Sequence, residues 1–343
     1  MPAQHFAQLF DRLVPPAMPP FLKQSLAKAA GVSQADQLYQ TLLRRPAGVS
    51  VPDQLLAELR ITYGVAERDL AHVPATGATV LVANHPYGVL DATVLASLLL
   101  GVRPDVKFLA NPAVAALPEL ADLTIGIDPF GDPQATGRNS AGLRRALEFL
   151  RAGGLLVVFP AGEVAHFQWK NRTVCDPPWP DKVGRLIRLA HRATPDLVVL
   201  PAFVDGRNSA AFQWAGLVHP RLRTALLLRE LLKQQGGRPQ VRLGRKISAG
   251  HMLAAHSDTE AIAYLRWRVD LLGNRPEFAA RTAWPIRRRT RDLLPISAAQ
   301  DAQKIALELA RLPILATAGL SMPMPPTRPK FRWPFPRSPG CGK

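Results

Sequence analysis

Four short apolar runs rich in β-branched residues, ATVLVAN (78–84), LTIGID (123–128), GLLVVFP (154–160) and DLVVLPAFV (196–204), alternate with helical patterns such as SAGLRRALEFLRAG (140–153) and KVGRLIRLAHRA (182–193). Strand patterns that alternate with helix patterns predict an α/β fold in which a central, mostly parallel sheet is flanked by helices. In GLLVVFP and LVVLPAFV the hydrophobicity is continuous rather than alternating, as expected of strands covered on both faces. The sheet is therefore expected to lie between two helical layers.

The flanks of this core read differently. Over residues 1–60, apolar side chains recur at helical spacing (Phe6, Leu9, Phe10, Leu13; Leu38, Leu42, Leu43; Leu55, Leu56, Leu59), broken by Pro15, Pro16, Pro19 and Pro20, which predicts an N-terminal helical region. Residues 61–250 form the α/β core, with a helix over 221–235. Residues 251–312 hold C-terminal helices over 258–272 and 297–312. From Pro313 to Lys343 Pro, Arg and aromatics crowd together, a composition that cannot build a core and predicts a flexible tail.

Charge narrows the partners. There are 43 Lys and Arg against 26 Asp and Glu, a formal +17, so the surface should attract polyanions or an anionic bilayer. Cys175 and Cys341 stand far apart in unlike surroundings, which suggests neither a disulfide framework nor a zinc site. The N-terminus lacks the pattern of a secretory signal. The longest apolar stretch, around Thr93–Val102, falls short of the ~18–20 residues a membrane span needs. The expectation is a cytoplasmic protein that meets the inner face of the membrane peripherally.

The segment VLVANHPYGVLDATVLASLLL (80–100) carries the chemistry. An apolar strand runs into Asn84–His85, and a helix is expected to start near Asp91, so His85 sits where ligand sites collect in α/β sheets. A neutral imidazole can take the proton of an alcohol attacking a carbonyl. A carboxylate on its far nitrogen fixes the tautomer and stabilises the imidazolium, the role expected of Asp91. Asp91 alone would serve equally well as a helix N-cap. Asn84, His85, Pro86, Gly88 and Asp91 together, between strand and helix, point to a catalytic loop in which Gly88 permits a tight turn.

This block resembles the first signature of the glycerolipid (lysophospholipid) acyltransferase superfamily, in which Asn–His is followed by a downstream Asp. The third signature resembles Phe159–Pro160–Ala161–Gly162–Glu163 and the fourth VVLPAFV with Pro201, in order across about residues 75–250. HPYGVLD, FPAGEV and FVDGRNSAAFQWAGLVHPRLRTALLLREL look most like a bacterial hemolysin-like branch related to lyso-ornithine lipid acyltransferases. The resemblance implies catalysis by His85 and Asp91. It also implies a donor that is acyl carrier protein or acyl-coenzyme A thioester, a lipid hydroxyl acceptor, and no metal or redox cofactor. Two departures stand out. Five residues separate His85 from Asp91 where four are commonest, and Gly126–Ile127–Asp128–Pro129 lacks the usual phosphate-binding arginine.

Acceptor contacts would then fall to Asn84, Gly88, Phe159, Pro160, Gly162, Glu163 and Arg207, with Lys107 and Arg138 as further cations near loop or strand ends. With no Gly-x-Ser-x-Gly nucleophile motif, direct transfer is expected. Oxyanion donors would come from the backbone N–H groups of residues 85–88 or of Gly162. The stretch 221–246, with eight basic residues and one acid, reads either as an interfacial face or as a core helix with a basic side. The five arginines of 281–291 suit lipid phosphates or an acidic carrier protein. Rival readings are a thioesterase, with water replacing the alcohol, and a basic nucleic-acid-binding protein. No zinc-finger or RNA-binding block supports the latter, so no specific nucleic acid partner is expected.

Overall fold

Continuous runs of apolar residues need cover on both faces, and the computed structural model provides it. It describes residues 19–115, 117–127, 135–170, 172–218 and 220–275. The expected helix over 297–312, the Pro/Arg-rich tail and the arginines of 281–291 lie outside these residues.

In chain order the elements are α1 (Pro20–Ala30), α2 (Val32–Leu43), α3 (Val51–Glu58), β1 (Gly64–Val65), α4 (Glu67–Leu70), β2 (Thr79–Ala83), α5 (Val89–Leu100) and β3 (Val106–Ala110). They continue with α6 (Pro112–Ala115), a 3₁₀ turn (Pro118–Leu120), β4 (Thr124–Gly126), α7 (Ala135–Arg151), β5 (Leu155–Val158), β6 (His166–Gln168) and β7 (Thr173–Cys175). Then follow α8 (Lys182–Ala193), β8 (Val198–Val204), α9 (Ala210–Val218), α10 (Pro220–Lys233), β9 (Gln240–Leu243), β10 (Ile247–Ser248), α11 (Ala249–Ala255) and α12 (Asp258–Gly273).

The main sheet runs β1-β9-β8-β2-β5-β3-β4, with β10 also paired to β8, while β6 and β7 form a separate hairpin. Strands β8, β2, β5, β3 and β4 are mutually parallel, and β9 joins β8 antiparallel. The sheet is thus mostly parallel, as expected. Two of its strands, β3 and β9, escape a reading by apolar runs, because Lys107 interrupts VKFLA and Arg242 interrupts QVRL.

Alternation along β2 divides the core. Leu81 and Ala83 face a layer built by α3 and α5 (Leu55, Leu56, Leu90, Val94, Leu98), which also contains Leu42 of α2. Val80 and Val82 face Ala146 and Leu150 of α7, Leu186 and Ile187 of α8, and Ile262, Leu265 and Val269 of α12. All four β2 side chains are fully buried. Burying a side chain the size of Val80, Leu81 or Val82 stabilises by about 1.5–3 kcal/mol, more than the roughly 0.5–1 kcal/mol of rotamer freedom it loses.

No helix among the described residues is long and apolar enough to cross a membrane. Helix α10, within the basic 221–246 stretch, buries Leu226, Glu230 and Leu231. It packs on α1, α2, α5 and α9, so its apolar side is used internally.

The N-terminal ends of β2, β3 and β5 are held together by Arg103, whose side chain is 1% exposed. Its guanidinium grips both oxygens of Asp105 at 2.6 and 2.7 Å and donates to the carbonyls of Pro74, Gly77 and Gly153. Arg103 holds the Asp105 carboxyl below the usual carboxylate range, chiefly through these hydrogen bonds. A depressed carboxyl contributes stability above its unfolded pKa of about 4 and loses it as the pH falls through the native value. Arg103→Met is therefore expected to cost about 3 kcal/mol in denaturant unfolding at pH 7. Part of that difference from wild type should vanish as the pH drops below about 4.

Candidate active site

Strands β5, β2 and β8 run parallel and end on the same side of the sheet, where β2 delivers the chain into the loop that carries His85. Asn84, the first residue beyond β2, donates its amide to the Val204 carbonyl at 2.8 Å and accepts the Val204 N–H at 2.7 Å. This two-point clamp ties the end of β2 to the end of β8, so Asn84 spends both polar atoms on positioning the loop.

The backbone of His85 is held on both sides. Its N–H donates to Asp176 Oδ1 at 3.1 Å and its carbonyl accepts from Ala165 N–H at 2.8 Å. The chain then turns at Gly88, whose φ of 98° lies in the region that favours glycine. A Cβ there would also stand 3.1 Å from Leu227 and Val164. Gly88 becomes the N-cap, and α5 begins at Val89, two residues earlier than the sequence suggested. Asp91 is accordingly the third helical residue rather than the cap. Its carboxylate reaches back to the N-cap N–H, the half of a capping box that a glycine cap allows.

Asp91 is fully buried. Its Oδ2 gathers His85 Nδ1, Tyr87 N–H and Gly88 N–H, each at 2.9 Å. The extra residue between His85 and Asp91 is absorbed by the turn at Gly88, and the pair still meets. With Nδ1–H donated to the carboxylate, the proton inventory leaves Nε2 as the basic nitrogen. The His85 side chain is 16% exposed, enough to meet a reactant. Its ring lies on Phe159 at 4.0 Å between centroids and 19° between planes, and Phe159 in turn stacks near Phe108. Imidazole orientation is thus set by a carboxylate at one edge and an aromatic face beneath it.

Phe159 opens the loop after β5. Pro160 is buried, and Gly162 takes a φ of 73° and donates its N–H to the Phe159 carbonyl at 3.0 Å. Glu163 meets Arg223 of α10 at 2.5 Å, with Arg223 11% and Glu163 31% exposed. Any polar group that Glu163 receives would therefore also face this guanidinium. The expected oxyanion donors are not available in this arrangement. The N–H groups of His85, Tyr87, Gly88 and Gly162 are all donated within the loop structure, and Pro86 has none.

Arg207 is exposed in the 205–209 loop and touches the site through its backbone, which hydrogen-bonds the Tyr87 hydroxyl. Burial first, then the charges of Asp91 and Asp205, pushes the Tyr87 hydroxyl above its ordinary pKa. Lys107 lies over the Phe149 ring at 5.7 Å, three residues short of the end of β3, and does not join the group. Arg138 lies on α7, its side chain outside the described residues, as are Asp128 and Pro129.

Two residues went unnoticed in the sequence. Arg223 sits in a helix whose pattern advertised only amphipathicity. Asp176, 91 residues from His85, has no motif around it; it is buried, and besides the His85 N–H it accepts Trp179 Nε1–H at 3.0 Å. Burial pushes its carboxyl up, against the pull of these donors and of His85 and Arg266. Arg266 of α12 holds the Asp176 and Pro177 carbonyls at 2.8 and 2.9 Å, fixing the segment. Asp176–Pro177–Pro178–Trp179 was the one available signal, a stiff segment opening on an acid.

A family model described as Acyltransferase matches residues 40–278. No curated protein matches the chain. Among solved structures, the chain is similar to the crystal structure of the 1-acyl-sn-glycerophosphate (LPA) acyltransferase, PlsC, from Thermotoga maritima. That match has 14% identity and a TM-score of 0.36 over 78% of this chain and 98% of that one.

The Asn84 clamp makes a prediction about stability. Asn84→Ala removes two half-buried hydrogen bonds and should cost about 1–3 kcal/mol. Asn84→Asp should cost more at pH 7, because a carboxylate would then face the Val204 carbonyl. Its excess cost should shrink as the pH falls toward about 4 and be gone below it, where the protonated acid donates again. Denaturant titrations of the two variants at both pH values check this.

Proposed function

Since the chain belongs to the acyltransferase family, we propose that it moves a fatty acyl group from a thioester, on acyl carrier protein or coenzyme A, to the hydroxyl of a lysolipid-type acceptor. The observation that carries this reading is the 2.9 Å contact of His85 Nδ1 with the buried Asp91 carboxylate, in the loops at the ends of β5, β2 and β8. His85 Nε2 takes the acceptor's hydroxyl proton as its oxygen attacks the thioester carbonyl. The tetrahedral intermediate then expels the thiolate, which recovers the proton from the imidazolium. Ester and thiol are the products, and no acyl-enzyme is formed.

Each residue has a defined part. General-base assistance of this kind is worth about 10²- to 10⁴-fold. Asp91 keeps Nδ1 protonated and offsets the charge that His85 acquires. Phe159 holds the ring plane and keeps its underside dry. The Glu163–Arg223 pair supplies charges of both signs for the acceptor head, in place of the arginine that the Gly126–Ile127 strand end lacks.

The reading is tested with labelled acyl groups presented on acyl carrier protein and on coenzyme A to a panel of lysolipids. Wild type should give a labelled lipid, and His85→Ala and Asp91→Asn should lower its rate by roughly 10²- to 10⁴-fold while remaining folded. Undiminished product from folded His85→Ala would remove His85 from the mechanism. Thioester loss without a lipid product would favour hydrolysis instead.

A further inference from the structure

The hairpin β6–β7 rises directly from the His85 backbone. Ala165, one residue before β6, donates to the His85 carbonyl, and Asp176, one residue after β7, accepts the His85 N–H. Between these two feet, Phe167 pairs with Val174 and Gln168 with Thr173. The turn beyond them carries Trp169, 69% exposed, and the exposed cations Lys170 and Arg172. From Val164 to Cys175 there is no acidic residue.

Helix α9 is tied to this hairpin, since Gln213 Oε1 accepts the Phe167 N–H at 2.8 Å. The next residue on α9 is Trp214, 68% exposed. The packing that holds them is internal. Phe212 of α9, fully buried, clusters with Val164 at the foot of the hairpin and with Leu226 of α10. Trp169 packs edge-on to Phe167, at 5.2 Å between centroids. Burial has thus taken Phe212 and left two indoles outside, on linked segments of which one rises from the His85 backbone.

Single exposed apolar residues are ordinary on a soluble protein. Two largely exposed tryptophans on hydrogen-bonded neighbours, next to two cations and no acid, are a more specific combination. Indole favours the boundary between water and lipid, having an apolar body and one N–H. Cations beside it are drawn to anionic head groups. We propose that the β6–β7 turn and Trp214 of α9 dock this protein on an anionic bilayer surface, with Trp169 and Trp214 in the head-group layer.

Geometry gives the docking a purpose. A three-residue strand spans roughly 10 Å, so Trp169 reaches about that far beyond the feet of the hairpin at His85. The head-group layer of one leaflet is about 7 Å deep, so a hydroxyl lifted only slightly from it comes within reach of His85. This purpose rests on the acyl-transfer reading; the docking itself does not. The surface differs from the 221–246 stretch, whose apolar side packs inward.

The test is co-sedimentation of the full chain with vesicles of zwitterionic phospholipid alone or with added anionic phospholipid. Wild type should prefer the anionic vesicles. Trp169→Ser with Trp214→Ser should weaken binding at least tenfold. Lys170→Gln with Arg172→Gln should weaken it about thirtyfold and remove most of the preference for anionic lipid. Far-ultraviolet circular dichroism and transfer to a short-chain acceptor dissolved as monomer should remain as in wild type for both pairs.

Wild-type binding that both variants retain, or no wild-type binding to anionic vesicles, would overturn the proposal. So would variants that bind vesicles normally but lose binding to an acidic carrier protein. Failure of monomeric transfer in wild type would count against the acyl-transfer reading and leave the vesicle result to stand by itself.

Discussion

One carboxylate oxygen organises the loop around which this protein is built. Asp91 Oδ2 takes a hydrogen bond from the His85 ring and two more from the backbone of Tyr87 and Gly88. It does so from the first turn of α5, where the N-terminal end of the helix favours a negative charge. A fully buried carboxylate is costly unless its hydrogen bonds replace those lost from water. The same three contacts meet that requirement at Oδ2, shape the Pro86–Gly88 turn and aim the imidazole, while Oδ1 is buried without a hydrogen-bond partner among the described residues. Packing, loop geometry and chemistry consequently cannot be varied independently here.

The surroundings extend this arrangement outward. Asn84 locks the loop to β8, Phe159 carries the imidazole face, and Asp176 and Ala165 hold the backbone of His85 from opposite sides. Arg266 reaches from α12 to the carbonyls beside Asp176. A helix formed by residues 258–273 is therefore part of the support for a histidine at position 85. The β6–β7 hairpin shares those supports, which links a surface turn to the backbone of His85 through two hydrogen bonds.

Hydrogen-bond economy also defines what the loop cannot do. Peptide N–H groups that point into a crevice are often available to stabilise an oxyanion. In this loop they already serve the Asp91 carboxylate, the Asp176 carboxylate and the Phe159 carbonyl. A rigid His–Asp pair and a free set of peptide donors compete for the same short stretch of backbone, and the first has taken precedence.

The sequence by itself determined the layered α/β plan, the placing of His85 at a strand end and the closeness of His85 to Asp91. Each follows from short-range pattern: continuous β-branched runs, helical spacing, and a strand-to-helix turn containing glycine. Only the tertiary structure decided that Asp176 braces His85, that Arg223 pairs with Glu163, and that Asn84 turns to Val204. These contacts join residues 60 to 120 positions apart, where no local periodicity carries information about the partner. The structure also moved the start of α5 and left Lys107 on the wrong side of the sheet. Both outcomes depend on how a side chain or a φ angle fits neighbours that the chain meets only after folding.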